Sequence, residues 1–299
     1  MTFYKEGDSV KYRFLLLLAA LIWGAAFVAQ VVGMDSVGPY TFNGVRFLIG
    51  ACALLPLVSL SREEKSPLPA NRPLWMACLM VGIPLFAGAT LQQVGLQYTT
   101  ASKSSLLTAT YLLMVPLFGM FLGKPLRLFH IIGALFAIAG VYFISITGDF
   151  TISAGDTLSL LCAVGFTVQI LVMDSLTRRF SPIRLSAGQF FVTGVLNLIL
   201  AFFLETPTLT GLEGALWPIL YTGILSTGVA YTLQAVGQKY VPATEASMLL
   251  SMEMVFGSLS GMIILGDTFT LRQYIGIAAM IIGVFLSQIP SRIIFCRQK

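Results

Sequence analysis

The feature that most constrains this chain is a series of ten long apolar runs. A helix needs about 20 consecutive apolar residues to cross the hydrocarbon core of a bilayer. The ten runs cover residues 12–32, 39–60, 73–97, 101–122, 127–146, 153–175, 183–204, 213–236, 243–265 and 271–290. Because the chain has 299 residues, the connections between runs are short and leave no room for a soluble domain. The pattern predicts an all-α polytopic membrane protein with ten transmembrane helices.

Composition supports a membrane protein and excludes several other classes. Hydrophobic residues make up 57% of the chain and charged residues 10%, far from the balance of a soluble domain. The first run is too long for the apolar region of a cleavable signal peptide, and nine further runs follow it. With a single histidine, His130, the sequence predicts no metal site, and we expect no cofactor. Three of the four cysteines lie inside runs, so we expect no disulfide framework.

The positive charges fall mainly on one side of the predicted spans. On the less basic side, the ends of the runs hold only Lys103 and Arg272. Arg46 lies within the second run. If the N-terminus is cytoplasmic, the cytoplasmic segments hold the other lysines and arginines: Lys5, Lys11, Arg13, Arg62, Lys65, Arg72, Lys124, Arg127, Arg178, Arg179, Arg184, Lys239, Arg292, Arg297 and Lys299. Cytoplasmic loops of membrane proteins carry such an excess of lysine and arginine, so both termini are predicted to be cytoplasmic. The protein itself is predicted to lie in the cytoplasmic (inner) membrane. The net charge of +5 therefore predicts no nucleic-acid partner.

The second half of the chain repeats the first. The segment 94–107 reads VGLQYTTASKSSLL and aligns, 142 positions later, with VGQKYVPATEASML at 236–249. The segment 131–143 similarly aligns with 274–286. The repeat predicts two five-helix units, residues 1–149 and 150–299. An odd number of spans inverts the second unit relative to the first, and transporters built this way bind substrate near the midplane between the repeats.

A single carboxylate, Glu253, lies near the middle of the ninth run. An ionisable side chain at that depth is costly and by default indicates function. Three roles stay open: a proton carrier, a ligand for a cationic group of the substrate, or a structural partner of Tyr111 or Arg46. Tyr111 occupies the matching position of the first repeat. Matched mid-span positions near a pseudo-two-fold axis can face one cavity.

Other polar or aromatic residues lie at depth along the runs. Arg46 either extends its side chain to the outer interface or faces a wet cavity, and Gln189 is its counterpart in the second repeat. Trp23, Phe27 and Gln30 share one helical face. The candidate residues for a substrate-binding cavity are Trp23, Arg46, Gln92, Thr108, Tyr111, Gln189, Tyr231 and Glu253.

Five residues near helix ends or in apolar helices allow more specific expectations. Ser153 and Asp156 fit a capping box at the start of the sixth span. Lys103 lies in the first turn of the fourth span, where a positive charge is unfavourable because of the helix dipole. It either binds a charged group of the substrate at the outer mouth or is an ordinary solvated residue. Gly257, with its neighbour four residues on at position 261, forms a GxxxG pair that permits close helix packing.

The repeated segments resemble a known family. The first half contains GLQYTTASKSSLL followed by LFGMFLGKPLRLFHIIGALFAIAGVYFI, and the second contains VPATEASMLLSMEMVFGSLSGMIILGDTFTLRQYIGIAAMIIGVFL. These segments resemble the two halves of an EamA-type carrier of the drug/metabolite transporter superfamily. The resemblance implies two inverted five-helix units, a central cavity between helices one to four and six to nine, and peripheral helices five and ten. Members of that family export amino acids, drugs and other small metabolites, and some import.

We therefore expect a secondary active transporter of a small organic metabolite that works by alternating access, as a monomer or weak homodimer in the lipid bilayer. A lipid-linked metabolite flippase is an alternative. An intramembrane enzyme is a second alternative, against which the sequence lacks an HExxH motif, a GxSxG motif within a span, and a pair of aspartates at matched mid-span positions.

Overall fold

A computed structural model of the chain describes residues 6–60, 73–145, 152–289 and 293–295. The described part is nearly all helical. Residues 62–72, which include three of the basic residues assigned to the cytoplasmic side, lie outside the described residues, and so does Cys296. The other three cysteines, Cys52, Cys78 and Cys162, are free thiols.

The helices follow the apolar runs. Within the described ranges, eight helical stretches are long and apolar enough to cross a bilayer: Val10–Gly33, Pro39–Leu60, Leu74–Gly95, Ala101–Phe121, Ala154–Leu176, Pro182–Leu204, Leu216–Tyr240 and Ala243–Leu265. Two shorter apolar helices, Leu128–Gly140 and Leu271–Gly283, occupy the fifth and tenth predicted runs. The chain is thus a nearly all-helical polytopic membrane protein, with eight candidate spans where the sequence predicted ten.

The chain forms fourteen α-helices in the described ranges. Their bounds are α1 Glu6–Gly33, α2 Pro39–Leu60, α3 Leu74–Gly95, α4 Ala101–Thr108, α5 Tyr111–Phe121, α6 Leu128–Ser145, α7 Ala154–Leu176, α8 Pro182–Leu204, α9 Leu209–Gly214, α10 Leu216–Leu220, α11 Tyr231–Tyr240, α12 Ala243–Leu250, α13 Glu253–Ser260 and α14 Leu271–Gln288. Two π-helical segments, Tyr221–Ala230 and Gly261–Leu265, continue α10 and α13.

Side chains cap the starts of α2 and α7, one from a distant part of the chain and one from the residue directly before the helix. The Glu205 carboxylate accepts hydrogen bonds of 2.8 Å from the backbone N–H groups of Tyr40 and Thr41, which satisfies the first turn of α2. At α7, the Ser153 hydroxyl accepts from the Asp156 N–H at 3.0 Å, as the predicted capping box requires. The Asp156 carboxylate, however, points to another helix, so only the serine half of that box contributes to the cap.

The fourth and ninth spans contain a tight turn at the same place. Between α12 and α13, the Met254 N–H donates to the Ser251 carbonyl, three residues back, at 3.0 Å. Between α4 and α5, the Leu112 N–H donates to the Ala109 carbonyl at 3.0 Å. Both turns interrupt the i to i−4 pattern where the sequence predicted one continuous helix per span. A 3₁₀ turn inside a longer helix often marks a hinge.

Helix boundaries in the two halves correspond. The starts of α4 and α12 lie 142 positions apart, and so do the starts of α5 and α13. The starts of α2 and α8, and of α6 and α14, lie 143 positions apart. The packing of the two halves corresponds as well. The counterpart helices α2 and α8 pack on each other, and so do α6 and α14. The contact of α3 with α7 has its counterpart in the contact of α1 with the stretch from α10 to α11. The repeat seen in sequence is therefore also a repeat of local structure.

The interface between α6 and α14 is built from small residues. A Cβ atom on Gly140 would lie 2.7 Å from the Gly276 carbonyl oxygen, and one on Gly283 would lie 2.7 Å from the Gly133 carbonyl oxygen. Real Cβ atoms do not approach so closely, hence the two backbones can meet only because these positions are glycines. Small residues serve membrane helices in this way because van der Waals packing, not hydrophobicity, drives their association.

One element departs from the all-α prediction. The strands β1 (Leu126–Arg127) and β2 (Ile293–Phe295) pair antiparallel, with Leu126 opposite Phe295. They tie the α5–α6 connection to the segment after α14. Two and three residues are too few to give a readable alternation of polar and apolar side chains, so the sequence pattern missed this pair.

The α6–α14 interface gives a stability prediction. Gly140→Ala forces its new methyl group against Gly276, so we expect a loss of about 1–3 kcal/mol in the free energy of unfolding. Gly228→Ala is the matched control, because its nearest atom would be 3.5 Å from the new Cβ. Thermal unfolding of both purified variants in detergent checks this, and equal melting temperatures would contradict the packing described.

Candidate functional site

A cavity of about 30 Å³ lies among the central helices. Its wall is drawn from α1, α2, α3, α5, α7, α11, α13 and the π-helical segment between α10 and α11. The lining residues are Trp23, Ala26, Phe27, Gln30, Arg46, Gln92, Tyr111, Phe166, Gln169, Ile170, Ser226, Tyr231, Gln234 and Glu253. Aromatic, amide and charged side chains thus converge on one point deep in an otherwise apolar bundle.

Arg46 is the only lysine or arginine on this wall, and its side chain is 3% exposed. Its Nε donates to Asn43 Oδ1 at 2.8 Å, and the Asn43 amide in turn donates to the Ala89 carbonyl. The guanidinium lies over the ring of Phe47, 4.8 Å from the ring centroid. These contacts direct Arg46 into the cavity, not outward to the interface. A cation–π contact contributes about 0.5–2 kcal/mol.

Glu253 is the only carboxylate on the wall and is 4% exposed. It is the first residue of α13, directly after the tight turn. Tyr111, its counterpart in the first repeat, begins α5 in the same way and interacts electrostatically with the Glu253 carboxylate. Glu253 Oε1 accepts no hydrogen bond from the described residues. The Glu253 carboxyl group therefore has capacity for a further contact inside the cavity.

The two wall charges do not pair with each other. The ion pairs found in the described part of the chain involve neither Arg46 nor Glu253. A charge buried without a partner is destabilising by several kcal/mol. The site therefore holds a cationic group and an acidic group in one cavity, each without an ionic partner from the chain.

Aromatic rings form the side of the cavity next to Arg46. Trp23 Nε1 donates to the Ser226 carbonyl at 3.1 Å, which fixes the indole against the π-helical segment. The Trp23 and Tyr231 ring centroids are 4.5 Å apart. Tyr231 directly follows that segment and also contacts Phe47 and Phe190, at 6.1 and 5.8 Å between centroids. Helical segments with π geometry are rare and frequent at functional sites.

A network of amide side chains forms another part of the wall. Gln169 Nε2 donates to Gln189 Oε1 at 3.1 Å, and Gln234 Nε2 donates to Gln169 Oε1 at 3.1 Å. Gln92, which is the first-repeat counterpart of Gln234, donates to the Thr108 hydroxyl at 3.2 Å. These bonds hold the amides in fixed orientations at the cavity edge.

Six of the eight residues predicted for the site line the cavity: Trp23, Arg46, Gln92, Tyr111, Tyr231 and Glu253. The other two, Thr108 and Gln189, lie behind the wall. The Thr108 hydroxyl contacts Gln92 and Cys162, and Gln189 contacts Gln169, so each supports a lining amide. The prediction that Thr108 and Gln189 line the cavity is wrong, because Gln92 and Gln169 lie between them and the cavity. A role in binding remains a prediction for all eight.

Four polar lining residues were not among the predicted site: Gln30, Gln169, Ser226 and Gln234. The apolar lining residues Ala26, Phe27, Phe166 and Ile170 were not predicted either. The sequence held a signal for two of the polar residues. Gln30 shares a helical face with Trp23, and Gln234 lies one turn beyond Tyr231. Polar residues that share a face with a cavity residue were therefore the usable signal, whereas the sequence gave no such signal for Ser226.

The cavity is small. A bound water needs about 10–15 Å³ of such volume, so about 30 Å³ admits roughly two waters. Pockets for small organic ligands are typically about 300–1,000 Å³. Entry of such a solute therefore requires the surrounding helices to separate.

A second cavity of about 670 Å³ opens at one end of the bundle. It lies between the start of α12 and the ends of α5 and α7, and we call it the vestibule. Its charged lining comprises Arg13, Lys124, Arg127, His130, Asp174, Arg178 and Glu245. Basic residues that the sequence assigned to one side of the membrane thus lie together in the structure.

Lys103 lies at the other end and has a role that neither expectation for it included. The Ser102 hydroxyl donates to the Ser258 carbonyl in α13. The start of α4 therefore lies beside the end of the ninth span, whereas Glu245 lies at the beginning of that span. The Lys103 Nζ forms an ion pair of 2.7 Å with Asp156, whose side chain is fully buried. Lys103 is thus neither an ordinary solvated residue nor free to read a substrate charge in this conformation.

Apolar spanning helices around a buried, charged cavity define a membrane protein built around an internal site. The model of the EamA-like transporter family matches this chain twice, at residues 11–146 and 153–288. The chain belongs to the EamA-like transporter family, within the drug/metabolite transporter superfamily, and the resemblance seen in the sequence is confirmed.

Relatives agree over nearly the whole chain. An uncharacterized transporter of Archaeoglobus fulgidus is 32% identical and covers 91% of this chain and 83% of its own length. The uncharacterized transporter YwfM of Bacillus subtilis is 28% identical, with 92% and 93% covered. A solved crystal structure is 20% identical and matches 93% of this chain and 97% of its own, with a TM-score of 0.73, which shows a shared fold. Family and relatives make this chain a membrane transporter.

The cavity gives a prediction about water access. In a background without cysteine, Gln92→Cys and Gln234→Cys should react with a small polar thiol reagent about tenfold or more faster than Ile263→Cys, because the reactive thiolate forms in water and not in lipid. Ile263 is 81% exposed on the apolar outer surface and serves as the lipid-facing control. Equal rates at all three positions, measured by mass shift, would show that water does not reach the cavity.

Proposed function

We propose that this protein is a secondary active transporter that carries a small zwitterionic solute of the amino-acid kind by alternating access. The site would bind the carboxylate of the solute at Arg46 and its ammonium group at Glu253. Aromatic and amide side chains around these two residues would contact the rest of the solute. Export or import follows the imposed gradient of the solute or of a coupled ion.

The observation that carries this proposal is that a guanidinium group and a carboxyl group lie in one cavity without ionic partners from the chain. A solute with both charges would neutralise both residues at once, and a charge-assisted hydrogen bond contributes about 1.5–3 kcal/mol. A purely cationic or anionic solute would leave one buried charge uncompensated. The geometry therefore favours a zwitterion over either.

Alternating access is supported by the repeated architecture. The two family matches, the corresponding helix boundaries and the reciprocal packing of the halves all fit two inverted five-helix units, residues 1–149 and 150–299. In such transporters the two repeats rock about a site near the midplane. The cavity wall draws residues from both units, as this mechanism requires.

The vestibule end is proposed to be cytoplasmic. Arg13, Lys124, Arg127 and Arg178 lie together there, and cytoplasmic segments carry an excess of such residues. This orientation places both termini in the cytoplasm and the Lys103 end outside. The membrane is proposed to be the cytoplasmic membrane.

Counterflow in liposomes tests the function. Purified protein in liposomes loaded with unlabelled solute should take up labelled zwitterionic amino acids, while matched amines and carboxylic acids should give at most about a tenth of that flux. Translocation of a lipid-linked headgroup would favour a flippase, and formation of a new product would favour an enzyme. Flux of neither zwitterions nor their charged analogues would contradict the proposal.

Glu253→Gln tests the acidic half of the site. It keeps the shape and most of the hydrogen-bonding capacity but removes the charge and the titratable proton. If Glu253 binds the ammonium group, counterflow and accumulation should both fall about tenfold or more.

If Glu253 instead carries a proton, accumulation driven by a pH gradient should be lost while counterflow persists. Asp35→Asn removes an exposed carboxylate near the end of α1 and is the matched control. Transport with an unchanged pH profile in Glu253→Gln would exclude both roles.

A further inference from the structure

Two ion pairs occupy opposite ends of the bundle. Lys103 in α4 pairs with Asp156 in α7 at 2.7 Å, and the Thr99 hydroxyl donates to the same carboxylate at 2.8 Å. Arg13 in α1 pairs with Glu245 in α12 at the vestibule. Each pair joins a helix of one repeat unit to a short helix that starts at a membrane surface. The first pair is largely buried, whereas the second is about half exposed.

The two pairs are counterparts in the repeat, with their charges exchanged. Glu245 lies 142 positions after Lys103, and Asp156 lies 143 positions after Arg13. These are the same offsets that relate the helix starts of the two halves. The cation of one pair therefore occupies the position of the anion in the other, so the contact is repeated although no residue is identical.

Each pair lies at the outer end of a seam that leads to the central cavity. Between α4 and α7, the hydroxyls of Ser104 and Ser159 meet at 3.0 Å, and Thr108 meets Cys162 one turn deeper at 3.4 Å. Thr108 in turn contacts Gln92 on the cavity wall.

The seam between α1 and α12 is apolar at the equivalent positions. The counterparts of Ser104 and Ser159 are Ala246 and Leu16, both fully buried in the central hydrophobic cluster. Further along the same face of α1, Trp23 lines the cavity. Both seams thus run from an ion pair at the surface to a cavity residue.

The helices that carry Lys103 and Glu245 are short segments, each followed by a tight turn. α4 and α12 are each eight residues long and end at the tight turns that precede Tyr111 and Glu253. A 3₁₀ turn of this kind often acts as a hinge. The ion pair is at the free end of each short helix, and a cavity residue begins the helix on the other side of the hinge.

We propose that the two ion pairs are opposing gates of the central cavity, each opened by a swing of its short helix about the adjacent turn while the other stays closed. This inference rests on the proposed alternating access. With both pairs formed, as in this structure, the cavity has a volume of only about 30 Å³. Loss of the Lys103–Asp156 pair opens the path between α4 and α7, and loss of the Arg13–Glu245 pair opens the path between α1 and α12.

Labelling of a cavity cysteine from each membrane side tests the gates without any solute. The reporter is Ser226→Cys in a background without Cys52, Cys78, Cys162 and Cys296, in right-side-out and inside-out vesicles. The probe is a membrane-impermeant maleimide. Gate variants neutralise both partners, so that neither leaves an unpaired charge.

Lys103→Gln with Asp156→Asn should speed labelling from the Lys103 end about three- to tenfold and not from the vestibule end. Arg13→Gln with Glu245→Gln should speed labelling from the vestibule end alone, by about two- to threefold, because its more exposed pair contributes less. The charge-exchanged variant Lys103→Asp with Asp156→Lys restores an ion pair and should return labelling to the rate of the reporter alone.

Lys124→Gln with Asp174→Asn is the matched control. It removes an ion pair of the same 2.7 Å length at the vestibule, but outside both seams, and should leave both rates unchanged. Gate variants that match this control, or that speed labelling equally from both sides, would overturn the proposal. A charge-exchanged variant whose reporter cysteine is labelled as fast as that of the neutralised variant would also overturn it. Because no solute is present, these outcomes do not depend on the counterflow result, which tests the transport function separately.

Discussion

The constraint that the rest of the structure has to offset is the burial of Arg46 and Glu253 in one cavity without an ion pair between them. Arg46 rests on an amide and on aromatic rings, and Glu253 faces the Tyr111 hydroxyl. In an apolar bundle, such charges lower stability unless a partner compensates them. The surrounding packing, including the glycine interface of α6 and α14, must supply the stability that this site removes.

The repeat explains how one cavity acquires two different charges. Equivalent positions in the two halves hold different residues: Glu253 corresponds to Tyr111, and Gln189 corresponds to the position of Arg46. A duplicated scaffold therefore brings matched positions together, and substitution within each pair makes the site asymmetric. The same exchange distinguishes the ion pairs Lys103–Asp156 and Arg13–Glu245, so the scaffold keeps the contact while its chemistry changes.

Much of this architecture could be predicted from the sequence, because apolar run length and the internal repeat depend on simple distances along the chain. Glu253 and Arg46 stood out for the same reason: a charge deep in a run is rare. The side of each helix that faces the cavity was harder to predict. Because lipid and the protein interior are both apolar, polarity is a weak indicator of which helix face points to the cavity. Thr108 was therefore predicted to line the cavity although it lies behind Gln92. The Lys103–Asp156 pair and the β1–β2 pair depend on contacts between distant segments that no local pattern records.

The central claim is that Arg46 and Glu253 are kept for a ligand and not for the fold. The most direct test is the melting temperature of the purified double variant Arg46→Gln with Glu253→Gln, with and without the solute that the wild type transports. We predict a melting temperature equal to or above that of the wild type without solute, since replacing buried charges is often neutral or stabilising by about 1–4 kcal/mol. We also predict that the solute raises the melting temperature of the wild type alone. A double variant that melts well below the wild type, yet is still stabilised by the solute, would contradict this account.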